Sequence, residues 1–123
     1  MRILIADDNV DGADSLALLL EADGHTVVTA DGGRQGIDQF SAAWRRAEPF
    51  AVVFTDLGMP NVDGRLVARS IKATAPDTPI ILLTGWGQRL RDESELPEHI
   101  NRVLSKPPKL IELRAALAEL VPA

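Results

Sequence analysis

The sequence contains no cysteine. Disulfides, thiolate metal sites, cysteine nucleophiles and dithiol redox pairs are therefore excluded, and the composition fits a reducing compartment such as the cytoplasm. Histidine is scarce too. His25 and His99 are the two present, and neither belongs to an H-E-x-x-H arrangement, which leaves little material for a zinc site. The apolar runs, such as residues 80–83, fall far short of the ~18 residues of a membrane span, and the N-terminus lacks a signal-peptide layout. Lys and Arg number 13 against 18 Asp and Glu, a formal charge of −5, whereas nucleic-acid binding rests on a surplus of cations. Neither membrane nor nucleic acid is an expected partner. What is present is an ordinary globular composition, 46% hydrophobic and 25% charged over 123 residues, enough chain for one domain with its own core.

Short β-branched runs recur along the chain: Arg2–Ala6, Thr26–Ala30, Ala51–Thr55, Ile80–Thr84 and a weaker Arg102–Leu104. Three of them are almost wholly apolar, which suits strands buried on both faces and hence a parallel sheet covered by helices. Between them lie segments of helical spacing, such as Ala13, Leu16, Leu19 and Leu20, or Leu110, Leu113, Leu117 and Leu120. Gly24, Gly64, Pro76 and Pro79 punctuate the pattern where turns are needed. Strands alternating with helices at this spacing predict βαβ units and a doubly wound α/β domain.

In an open parallel sheet, ligands bind outside the carboxyl ends of the strands. The residues at or just past those ends are Asp7, Asp8, Asp56, Thr84 and Lys106. Like charges about 4 Å apart repel by roughly 4 kcal/mol at an effective dielectric of about 20, so three gathered carboxylates call for a cation. Mg²⁺ fits, because it takes one or two carboxylates together with water and phosphate oxygens. Lys106 then supplies a mobile positive charge and Thr84 a hydroxyl donor for the oxygens of a phosphorylated Asp56.

The set Asp7-Asp8, Asp56 within D-L-G-M-P-N-V-D-G, Thr84-Gly85 and Lys106-Pro107 closely resembles the receiver domain of two-component response regulators, over almost the whole chain. The stretches D-D-N-V-D-G-A-D-S-L and L-T-G-W-G resemble in particular receivers attached to hybrid histidine kinases. The resemblance implies a flavodoxin-like, five-stranded sheet of order 2-1-3-4-5 with five flanking helices, and a single receiver domain without an output domain. It implies Asp56 as phosphoacceptor, Asp8 as a direct Mg²⁺ ligand, Asp7 as a ligand mainly through water, and the Gly58 backbone carbonyl as a further ligand. Thr84 and Lys106 would contact the phosphoryl group, and Lys106-Pro107 would be a cis peptide. The implied donor is a histidine kinase or histidine phosphotransfer domain, and the implied output is a partner, or a kinase in cis. The domain itself would be a monomer or weak dimer and a phosphoacceptor rather than an enzyme.

Each residue also has a plainer reading: a lone Asp at a strand end is commonly a turn or cap, and Thr84 alone is an ordinary strand residue. Asp11 and Asp14 read as cap or first-turn charges, and Asp63 as a turn residue. A phosphohydrolase of the haloacid-dehalogenase type also combines an aspartate nucleophile, Thr or Ser, Lys, an acidic pair and Mg²⁺. It resembles D-x-D after its first strand with the acidic pair late, the reverse of the order here. Gly58 and Trp86, two positions after Asp56 and Thr84, predict slow self-dephosphorylation, since glycine orients no water and an indole obstructs in-line approach. Val103 stands where receivers usually carry an aromatic. Between the fourth and fifth strands, Leu90, Leu96 and Ile100 make no continuous stripe and Pro97 interrupts, so the helix of Gln88–Ile100 is expected to be short or mobile and ordered by phosphorylation.

Overall fold

A computed structural model of the chain describes residues 1–85 and 97–121. The order of elements is β1 (Arg2–Ala6), α1 (Val10–Ala22), β2 (Thr26–Ala30), α2 (Gly33–Arg45), β3 (Val52–Asp56), α3 (Gly64–Thr74), β4 (Ile80–Thr84), β5 (Arg102–Ser105) and α4 (Leu110–Leu120). All neighbouring strands pair in parallel, in the order β2-β1-β3-β4-β5. The doubly wound sheet expected from the run of strands is present. Of the five expected helices, four are found among the described residues. Of the helix expected over Gln88–Ile100, positions 88–96, with Trp86 before them, lie outside the described residues, and the described remainder, 97–100, is a turn and not helix.

The strand period of two sorts the sheet's side chains into two cores. Ile3, Ile5, Val52, Phe54, Ile81, Leu83 and Leu104 meet α1 and α4 on one face. Leu4, Val53, Ile80 and Leu82 meet α2 and α3 on the other, with Phe40 and Ile71 filling that layer. Each large aliphatic or aromatic side chain buried this way stabilises the fold by about 1.5–3 kcal/mol, which is why three central strands of nearly unbroken apolar sequence can exist at all.

The starts of α1 and α3 are fixed by side chains. Asn9 caps α1, its Oδ1 accepting the Gly12 N–H at 3.1 Å, so that Asp11 is a first-turn charge and not the cap. Asp63 is more than a turn residue: its Oδ1 accepts the N–H groups of Arg65 and Leu66 at 3.0 and 3.1 Å and so caps α3. Gly24, at φ 92°, turns the chain out of α1, a conformation that favours glycine.

Candidate functional site

The strand ends at the carboxyl edge bring the charged residues together in a definite phase. Asp56 is the last residue of β3 and continues the Val52, Phe54 series, Asp7 follows β1 in phase with Ile3 and Ile5, and Lys106 follows β5 in phase with Leu104. Thr84 ends β4 in phase with Ile80 and Leu82, the opposite side of the sheet. Asp56 was expected just past its strand; instead it is within the ladder, paired in register with Leu83.

One carboxylate oxygen from each of Asp7, Asp8 and Asp56 lies within 4.8 Å of the others. Asp7 and Asp56 are buried, at 2% and 3% exposure, while Asp8 faces solvent. Asp7 is held at both oxygens: Oδ1 accepts the Asn9 N–H at 2.9 Å, and Oδ2 is 2.8 Å from Lys106 Nζ. The same ammonium lies 3.1 Å from Asp56 Oδ1, an ion pair by distance. That oxygen nevertheless has no aligned hydrogen bond among the described residues. A buried carboxylate oxygen with unused accepting capacity, beside two further carboxylates, is a set of hard oxygen donors suited to a divalent cation and a phosphoryl group.

Burial pushes the Asp56 carboxyl above its ordinary range; contact with Lys106 opposes this, and the charges of Asp7 and Asp8 reinforce it. Burial alone would lower Lys106, but its contacts with Asp7 and Asp56 outweigh that and hold the ammonium above its usual range. The lysine is therefore charged at neutral pH and acts as the internal counter-ion of the acidic cluster.

Thr84 does not join this network through its side chain among the described residues. Its link is through the backbone, the Lys106 N–H donating to the Thr84 carbonyl at 2.8 Å. Gly58 is exposed in the loop after β3. The Lys106–Pro107 bond is cis, as the resemblance implied. Two contributors were not singled out from the sequence. Asn9 orients Asp7 through its backbone while its side chain caps α1. Gly64 starts α3 so close to β3 that a Cβ there would sit 2.3 Å from the Asp56 carbonyl oxygen. The D-N pair next to the strand and the glycine ending D-L-G-M-P-N-V-D-G were the available signals.

With this geometry in hand, the comparisons are unambiguous. Residues 3–118 match the response regulator receiver domain, and the chain belongs to that family, the phosphoacceptor module of two-component systems. It is 34% identical over 113 residues to the response regulator receiver protein CpdR of Brucella abortus, covering 91% of this chain and 89% of that one. It is 33% identical over 121 residues to the response regulator MprA of Mycolicibacterium vanbaalenii, covering 98% of this chain but about half, 50%, of that protein. A receiver domain structure from Clostridium thermocellum superposes with a TM-score of 0.85 at 30% identity, covering 98% of this chain and 93% of the other. The response regulator TrrA of Thermotoga maritima, solved in complex with Mg²⁺-BeF, gives 0.82 at 27% identity and 98% coverage of both. The family binds Mg²⁺ at an acidic pocket, and a cluster of aspartates of that kind is present here. Among the described residues no helix is long and apolar enough to cross a membrane.

Removing the Asp56 charge provides an electrostatic check. A carboxyl whose folded-state pKa is raised binds its proton more tightly in the folded chain than in the unfolded one, so it destabilises the fold at neutral pH and does so less as pH falls through that pKa. Asp56→Asn is thus expected to melt higher than the parent at pH 7.5 without divalent cations. A gain of about 1 kcal/mol corresponds to roughly 3–6 °C at this length. The gap should narrow as pH is lowered toward 5; a lower melting temperature for the variant at pH 7.5 would contradict the assignment of Asp56 as the strained member.

Proposed function

We propose that residues 1–123 act as one receiver unit that accepts a phosphoryl group on Asp56 and hands the signal on by changing partner binding. The observation that carries this reading is the buried Asp56 carboxylate at a strand end, 3.1 Å from the Lys106 ammonium and gathered with Asp7 and Asp8. Asp56 forms a bond to phosphorus as the bond from phosphorus to the donor nitrogen of a phosphohistidine breaks, and the imidazole leaves with that electron pair. Positioning and charge neutralisation do most of the work in such transfers. Lys106 pairs with the new phosphoryl oxygens, and Thr84, which starts from the other side of the sheet, turns inward to donate its hydroxyl. Asp7, Asp8, Asp56 and the Gly58 carbonyl would hold Mg²⁺, which when bound neutralises charge on the transferring group.

A histidine kinase or histidine phosphotransfer domain is the donor, and the output lies with a partner or with a kinase in cis. Gly58 offers no side chain to orient an attacking water, so the aspartyl phosphate is long-lived and the unit behaves as a switch, not as a hydrolase. The test is incubation with acetyl phosphate and Mg²⁺ followed by intact mass. The expected result is one added phosphoryl group, lost in Asp56→Asn and greatly slowed in Lys106→Met. Absence of any mass gain, or an equal gain in Asp56→Asn, would overturn the proposal.

A further inference from the structure

Charge is segregated between the two helical layers. The helix α1 carries Asp11, Asp14 and Glu21 and no basic residue, whereas α3 carries Arg65, Arg69 and Lys72 and no acidic one. Spacings of four and three place those three cations along one side of α3, over about 10 Å at ~1.5 Å per residue. In a chain of net charge −5 this is a local reversal of sign.

The cations are available. Arg65 and Arg69 are exposed, and no ion pair among the described residues involves either. Lys72 is half-buried, and its ammonium donates to Asn101 Oδ1 at 2.9 Å and to the Pro76 carbonyl at 3.3 Å, both neutral acceptors. Burial pulls its pKa down, with Asp77 opposing, and no ion pair among the described residues involves it. Two cavities, of about 450 and 620 Å³, lie along this flank, and Arg69 lines both. Each has apolar material as well: Met59 and Leu66 in the first, Ala73 and Ile100 in the second. Leu66 is 43% exposed, on a helix that buries Val67 and Ile71. Two carboxylates stand near. Asp63 lines the first cavity but accepts the N–H groups that cap α3, and Glu98 is 3.7 Å from His99 at the second.

We propose that this flank of α3 is a docking surface for an acidic peptide segment, interspersed with apolar side chains, from a partner protein. Its carboxylates would pair with Arg65, Arg69 and Lys72 while its apolar residues cover Leu66 and enter the two cavities. Isolated surface ion pairs are worth about 0–1 kcal/mol each, so the apolar contacts are needed for binding, and the charges set approach rate and selectivity. Nucleic acid fits less well, because three cations on a domain of net charge −5 give a weak phosphate grip. Two cavities in series suit an elongated chain better than a compact anion.

The test uses the whole chain and fluorescence anisotropy. The probes are a short fluorescein-labelled peptide of Glu, Asp, Leu and Phe, the same peptide with Lys replacing every acid, and a labelled DNA duplex. The acidic peptide is expected to bind at low salt, to weaken as salt rises, and to lose at least about tenfold in affinity, or about 1.4 kcal/mol, in R65E/R69E. Arg34→Glu on α2, outside this flank, should leave binding unchanged. R65Q/R69Q removes charge at the same exposed sites and should show the same direction of loss, which covers the case of a double-Glu variant that does not fold. No binding at low salt, undiminished binding in both double variants, or equal or tighter binding of the lysine peptide or the duplex would overturn the proposal.

Discussion

Lys106→Met is expected to lower the stability of the metal-free protein by about 3 kcal/mol, since removing one partner of a buried ion pair typically costs about 3–5 kcal/mol and Lys106 keeps part of its side chain in solvent. At this chain length that corresponds to a fall of roughly 10 °C in melting temperature. The cause is specific: Asp7 and Asp56, both buried, would face each other with no cation 2.8 and 3.1 Å away. The loss should depend on pH. Without the ammonium the Asp56 pKa rises further in the folded state, so the variant regains stability as pH falls from 8 toward 5, through proton uptake in the fold. Mg²⁺ should restore much of the difference at pH 7.5 by taking over as counter-ion, and Asp8→Ala should blunt that recovery. Thermal unfolding with and without Mg²⁺ measures all three effects. A variant as stable as the parent at pH 8 would remove Lys106 from its place as internal counter-ion.

The second large effect is steric. In Gly64→Ala the new methyl would sit 2.3 Å from the Asp56 carbonyl oxygen and 2.8 Å from Leu82 Cδ1. The leucine end can turn aside, but the carbonyl belongs to the backbone of a central strand and cannot. Either α3 retreats or the end of β3 shifts, and overpacking of this kind costs about 1–3 kcal/mol, with the upper end expected here. The displacement falls on the proposed phosphoacceptor, so phosphorylation by acetyl phosphate is expected to slow by more than the loss of folded protein accounts for. Gly32→Ala provides the contrast. Its backbone is extended at φ 177° and a Cβ there meets nothing within 4 Å, so stability and labelling rate should both be close to those of the parent. Equal behaviour of the two alanine variants would show that α3 does not press on β3 as described.

Much of this architecture can be read from residues alone, for a definite physical reason. A strand buried on both faces must be apolar at nearly every position, so RILIA, VVF and IILL stand out from the amphipathic helices between them. The same logic exposes the site: an Asp or Lys directly after such a run has no plain role in a core, and at the strand ends of this sheet three carboxylates and a lysine come together. The features that escaped the reading depend on distant neighbours. Nothing local to Gly64 announces the Asp56 carbonyl, nor does Lys106 reveal that it bridges two carboxylates before any phosphoryl group arrives. Asp56 itself is a strand residue because Leu83 pairs with its backbone, while its side chain alone suggests a loop. Asn9 supplies both the cap of α1 and the N–H that orients Asp7, a double role set by contacts on either side of it.

The alternation that separates the two cores has a consequence for how information could leave the site. Over most of its area the sheet is a partition, with one set of side chains answering to α1 and α4 and the other to α2 and α3. At the carboxyl rim that partition ends. Asp7, Asp56 and Lys106 arrive from one side and Thr84 from the other, joined by the hydrogen bond from the Lys106 N–H to the Thr84 carbonyl. A change of charge at this rim is addressed to both sides of the wall at once. One chemical event at the rim can therefore reach both helical layers, the acidic and the basic.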